Sequence, residues 1–157
     1  HLVIKEFFKY LRERLPEARL SVDLFGLSAS SADDLGVGQV IEDAFEYFDY
    51  VSPMIYPSHY APGFLRFENP ADYPYEVVNY SMERASQRLS VFKQSHESNS
   101  QIRPWLQDFN LGAIYDAQMV RNEIQAVHDA SGEDFNGFML WNSSNFYTES
   151  ALAPDGK

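Results

Sequence analysis

The chain of 157 residues is 45% hydrophobic and 15% aromatic, which suits one packed domain and excludes a disordered tail. Its 23 acidic residues outweigh 12 basic ones, and the net charge of -11 argues against nucleic acid and anionic membrane surfaces, both of which need a basic face. Cysteine is absent, which excludes disulfides, zinc–thiolate sites and cysteine nucleophiles, and no apolar run approaches the roughly 20 residues of a membrane span.

The opening His1-Leu2-Val3, with neither Met nor a signal-peptide pattern, reads as the start of a fragment or a processed chain. A first helix is predicted where Leu2, Phe7, Phe8, Leu11 and Leu15 recur at helical spacing, and Pro16 stops it. Residues 19–26 read as a strand ending at Gly26, and residues 30–38 as a polar loop. Val40, Ile41, Ala44, Phe45 and Phe48 mark a second helix. Residues 51–56 are a second strand candidate in spite of Pro53, which removes a ladder donor. The stretch 57–73, rich in Pro, Tyr and Gly, is a loop of the length that carries function. Pro74 then opens a third helix to about residue 94, with Val77, Val78, Met82, Ala85, Leu89 and Phe92 on one face. Residues 102–109 read as a third strand, 117–130 as a fourth helix ended by Gly132, 137–142 as a fourth strand, and 143–157 as an irregular tail.

Strict alternation of helix and strand specifies an α/β fold whose parallel strands are joined by right-handed helical crossovers. Two architectures fit, an open doubly wound sheet and part of a barrel. Several chemistries drop out. Gly36-Val37-Gly38 lacks a third glycine and does not follow a strand directly, so it is no dinucleotide loop. No Gly-x-Ser-x-Gly elbow is present, and none of His1, His59, His96 and His128 makes an i, i+4 pair for zinc. The spacing demands neither a metal nor a cofactor.

Polar and aromatic residues gather at the carboxyl ends of all four predicted strands, where parallel α/β folds place their sites. Asp23 ends the first and fits either a turn cap or a catalytic carboxylate. Tyr56, His59 and Tyr60 follow the second, and Trp105, Gln107 and Asp108 lie on the third. Asp108 is the stronger candidate, because a carboxylate at the end of an apolar strand is costly to bury unpaired. Trp141 and Asn142 end the fourth. Both tryptophans fit either a core or a flat platform for the C–H face of a sugar. Glycoside hydrolysis uses two carboxyl groups, about 5 Å apart for retention and roughly 6.5–9.5 Å for inversion. Asp23 and Asp108 are the pair available here.

The strings Pro53-Met54-Ile55-Tyr56-Pro57-Ser58-His59-Tyr60, Trp105-Leu106-Gln107-Asp108-Phe109 and Gly137-Phe138-Met139-Leu140-Trp141-Asn142, with Ser21-Val22-Asp23-Leu24-Phe25-Gly26 before them, resemble a bacterial glycosyl hydrolase domain family, formerly a domain of unknown function. The match keeps motif order over nearly the whole chain. The resemblance implies an amylase-like (β/α)8 barrel, of which residues 1–157 hold the C-terminal half, units five to eight. It also implies cleavage of O-glycosidic bonds in a poly- or oligosaccharide, with Asp23 as acid/base and Asp108 as a transition-state stabiliser or sugar ligand. Tyr56, His59, Tyr60, Trp105, Gln107, Trp141 and Asn142 become substrate-binding. The family's strand-four segment, with its Asp-Tyr pair, is missing here, so the fragment alone is an incomplete enzyme. Its open edges then call for the N-terminal half barrel or for self-association. A non-catalytic carbohydrate-binding barrel is the alternative. A polysaccharide substrate points to the cell surface or beyond it.

Overall fold

The computed structural model describes residues 1–34 and 36–152. Along them run five α-helices and five strands in the order α1 (Leu2–Arg14), β1 (Ser21–Phe25), α2 (Leu27–Ser30), α3 (Ile41–Phe45), β2 (Tyr50–Ile55), α4 (Pro74–Lys93), β3 (Gln101–Ile102), β4 (Trp105–Gln107), α5 (Ala117–Ser131) and β5 (Met139–Trp141). All strand pairs are parallel. β1 joins β2, β2 joins both β3 and β4, and β4 joins β5. Strand neighbours thus follow chain order without reversal, and the fold is mixed α/β.

The third strand is two pieces rather than the single run expected over residues 102–109. Tyr50 and Val51 pair with β3, Met54 and Ile55 with β4, and Arg103-Pro104 interrupts between them. The same break accommodates Pro53 inside β2. Arg103 N donates to Val51 O at 3.1 Å. Pro53, two residues further, faces the same neighbour, so its missing donor falls opposite the interruption. The second helix is also shorter than its apolar pattern, covering only Ile41–Phe45, with Phe48 buried in the turn that follows.

The core takes one parity from every strand. Leu24, Val51, Ile55, Ile102 and Leu106 pack with Phe8, Phe45, Val78, Met82, Phe92 and Val127 of the helices. Each such side chain stabilises by about 1.5–3 kcal/mol. The opposite parity, Ser21, Asp23 and Phe25 on β1 and Trp141 on β5, is exposed. The helical layer therefore covers one face of the sheet, and the other is open along both outer strands.

Two arginines tie the frame. Arg12 donates to Tyr47 O at 2.7 Å, to Ala18 O at 3.0 Å and to Asp49 Oδ2 at 2.7 Å, and the Leu20 N–H joins that same oxygen at 2.8 Å. These contacts clamp the amino ends of β1 and β2. Arg88 of α4 pairs with Glu42 and donates to Ser28 O at 2.7 Å, fastening α2 and α3 to the long helix. Residues 143–152 lack regular structure apart from a 3-10 turn at Glu149–Ala151, yet they are docked: Ala151 is buried and Arg121 donates to Ser150 O at 2.8 Å. The last five residues of the expected tail, 153–157, lie outside the described residues.

Candidate functional site

Asp23 lies in the middle of β1 on the open face and is exposed. Its Oδ1 accepts a hydrogen bond from Trp105 Nε1 at 2.8 Å, across 82 residues of sequence. The indole reaches over β2 because small Ser52, not a bulky residue, stands beside Asp23 in the register. Trp105 meets Trp141 edge-on, with centroids 6.1 Å apart and planes at 88°. Tyr56, just beyond β2, is buried and stands edge-on to His59 at 5.2 Å and to Phe109 at 5.6 Å. Burial, and after it the charge of Asp23, pushes the Tyr56 phenol well above its ordinary value. It therefore stays a neutral hydroxyl throughout the physiological range. Asp23, Trp105, Trp141, Tyr56 and His59 thus gather at one edge of the sheet.

The remaining sequence candidates are committed to the frame. Tyr60 is buried and its hydroxyl meets Ser81 Oγ of α4 at 3.1 Å. Gln107 is fully buried; its Oε1 accepts from Ser58 N at 3.1 Å and Ser58 Oγ at 2.8 Å, and its Nε2 donates to Phe109 O at 3.0 Å. It bolts the 57–59 turn to β4. Asn142 donates from Nδ2 to Asp108 O and, at 2.8 Å, to Phe146 O, while its Oδ1 accepts from Ser144 N at 3.0 Å. Asp108 is 2% exposed, and both carboxylate oxygens are taken by Thr148, from the main-chain N–H at 2.7 Å and from Oγ1 at 2.6 Å.

A cavity of about 290 Å³ opens beside this patch, between the end of β1, the loop after it and the end of β2. Phe25, Leu27, Val37 and Met54 give it apolar walls, and Gln39 and His59 are among its polar groups. Gln39 Oε1 accepts the Phe25 N–H at 2.7 Å, fixing that loop against the free edge of β1. Gly26 is required where it stands, because a Cβ there would lie 2.4 Å from Met54 O.

One ionisable group escaped the sequence reading. Glu123 of α5 is fully buried; its Oε1 accepts from the Tyr115 hydroxyl at 3.2 Å, and its Oε2 has no partner among the described residues. Burial raises its carboxyl well above the ordinary range, and the charge of Asp108 adds to that. The signal lay in its position, three residues after Val120 and four before Val127 on the buried helix face. Among the described residues no group of three His, Cys, Asp or Glu side chains is arranged to hold a metal ion, and no helix is long and apolar enough to cross a membrane.

No curated protein and no solved structure matches the chain. A family profile described as "Putative glycosyl hydrolase domain" matches residues 1–147, a description that supports a general glycoside hydrolase role, and the chain belongs to that family.

Proposed function

We propose that the chain supplies units five to eight of a (β/α)8 barrel that hydrolyses O-glycosidic bonds of a poly- or oligosaccharide. Consecutive parallel strands in chain order, with one face in the helical core and the other open, support the barrel over a doubly wound sheet, whose order reverses. The observation that carries the reading is the exposed Asp23 carboxylate held by the Trp105 indole beside Trp141. The indole fixes Oδ1 and leaves Oδ2 without a hydrogen-bond partner among the described residues, free to give and take a proton at a glycosidic oxygen. Asp23 is the acid/base. The second carboxyl that the reaction uses belongs to strand four of the same barrel. Asp108 is a positioning residue that holds the segment after β5.

The test is reducing-sugar release from a polysaccharide panel by the complete protein and two variants. Asp23→Asn is expected to lower kcat by at least 100-fold, the scale of a lost general acid/base. Asp108→Asn is expected to raise KM severalfold with kcat retained, because the two Thr148 donors meet different oxygens of Asp108 and the amide replaces one of them with an NH2 that cannot accept. A loss of kcat in Asp108→Asn with none in Asp23→Asn would reverse the two roles. One observation favours a second reading, a carbohydrate-binding barrel without catalysis: of the two carboxylates only Asp23 is exposed. Binding without turnover by the complete protein on every glycan would establish it.

A further inference from the structure

The segment after β5 is irregular but held at both ends. At its start Asn142 forms an Asx turn, accepting from Ser144 N at 3.0 Å and Ser144 Oγ at 2.7 Å, and Asn145 N donates to Asn142 O at 3.0 Å. Asn145 takes the left-handed conformation, with φ 58°, that asparagine tolerates. Asn142 Nδ2 reaches forward to Phe146 O at 2.8 Å and back to Asp108 O. At its end the Asp108 carboxylate holds Thr148 by two charge-assisted hydrogen bonds of 2.7 and 2.6 Å. Ala151 and Arg121 then anchor the chain to α5.

Between these clamps the loop presents aromatic surface to solvent. Phe146 is 82% exposed, Tyr147 43%, and Trp141, the residue leading into the loop, 44%. Among the described residues these rings are exposed on a main chain held at both ends, and loops positioned by a rigid scaffold are where binding residues concentrate. Trp141 links them to Trp105 and hence to Asp23.

We infer that the loop 142–148 is a second sugar-binding subsite, in which Phe146 and Tyr147 stack against a pyranose ring of the glycan next to the unit held at Asp23. The inference rests on the carbohydrate reading above and adds the residues that grip the chain beyond the reacting bond. A pyranose offers an apolar C–H face to a ring and hydroxyls to the phenol of Tyr147, a match to amphipathic aromatics. Because the loop is already fixed by Asp108 and Asn142, ordering it costs little on binding.

Affinity electrophoresis through gels containing hydroxyethylcellulose, xylan, glycol chitin or pullulan tests it, with the complete protein in the Asp23→Asn background so that the gel is not digested. Phe146→Ala and Tyr147→Ala are each expected to weaken retardation by the retarding glycan about three- to tenfold, the scale of one aromatic contact, with thermal unfolding unchanged. Tyr147→Phe keeps the ring and is expected to retain most of the affinity. Retardation equal to that of the background in both alanine variants overturns the subsite and leaves the carbohydrate reading standing. No retardation of the background protein by any of the four glycans overturns both.

Discussion

Glu123→Gln isolates the one carboxyl that is fully buried among the described residues. Among the described residues the side chain has no exposure, no cationic partner, a hydrogen bond from the Tyr115 hydroxyl and one oxygen without a partner. The groups facing it are the Tyr115 phenol, the Gln107 main-chain N–H, which pulls its pKa down, and the Asp108 carboxylate, which pushes it up. Burial outweighs the two donors, so the folded chain holds Glu123 as a neutral acid well above the pH at which the unfolded chain releases its proton. The sign follows from proton counting. Above the unfolded value of about 4.3 the folded state binds more protons than the unfolded one, so stability from this group is complete at lower pH and declines as pH rises towards the folded value. The decline is about 1.4 kcal/mol for each pH unit. Glutamine has the same shape, keeps the bond from Tyr115 and does not titrate. The stability difference between variant and parent is therefore expected to move in favour of Gln by about 1.4 kcal/mol per pH unit above about pH 5. Urea unfolding of both proteins from pH 4 to 8 measures it, and subtraction removes every other titrating group. A difference that stays flat across that range would mean that Glu123 is ionised in the fold.

Arg88→Met keeps the aliphatic stem but removes the clamp between α4, Glu42 and the Ser28 carbonyl. With Arg88 only 16% exposed, the expected loss is about 2–3 kcal/mol in urea unfolding. Gly26→Ala sets a Cβ 2.4 Å from the Met54 carbonyl and 3.0 Å from the Tyr60 hydroxyl. Since the first contact is main chain of β2, the strand must shift, and thermal unfolding is expected to report a loss of about 1–3 kcal/mol.

The long helices were legible because their apolar residues repeat at helical spacing for 13 to 20 residues. The strands were legible as short β-rich runs, although the break at Arg103-Pro104 was not. Pro104, which has no N–H, marks it locally, but its place opposite Pro53 follows from a pairing across some fifty residues. Glu123 is not among the residues that the sequence singles out, and only its place between Val120 and Val127 marks it as buried. The Asp23–Trp105 contact spans 82 residues and the Asp108–Thr148 contact 40. Sequence nominated the residues at the strand ends. The division between those facing the open side and those holding loops is set by tertiary pairing.

Strand parity supplies a physical reason why Asp23 and Asp108 differ. Asp23 and Trp105 lie on the face opposite Leu24 and Leu106, so their side chains leave the core. Asp108 follows Gln107 and shares the parity of Leu106, which turns it towards the helical layer, where its charge reaches Glu123. A buried carboxyl on that side is costly without hydrogen-bond partners, and Thr148 supplies a donor to each oxygen. A catalytic carboxyl must instead keep one oxygen available to substrate. The same residue type on β1 and just after β4 therefore meets opposite requirements: Asp23 is exposed, as the proposed proton transfer needs, and Asp108 is held rigid. The rigidity is what fixes the main chain beneath Phe146 and Tyr147.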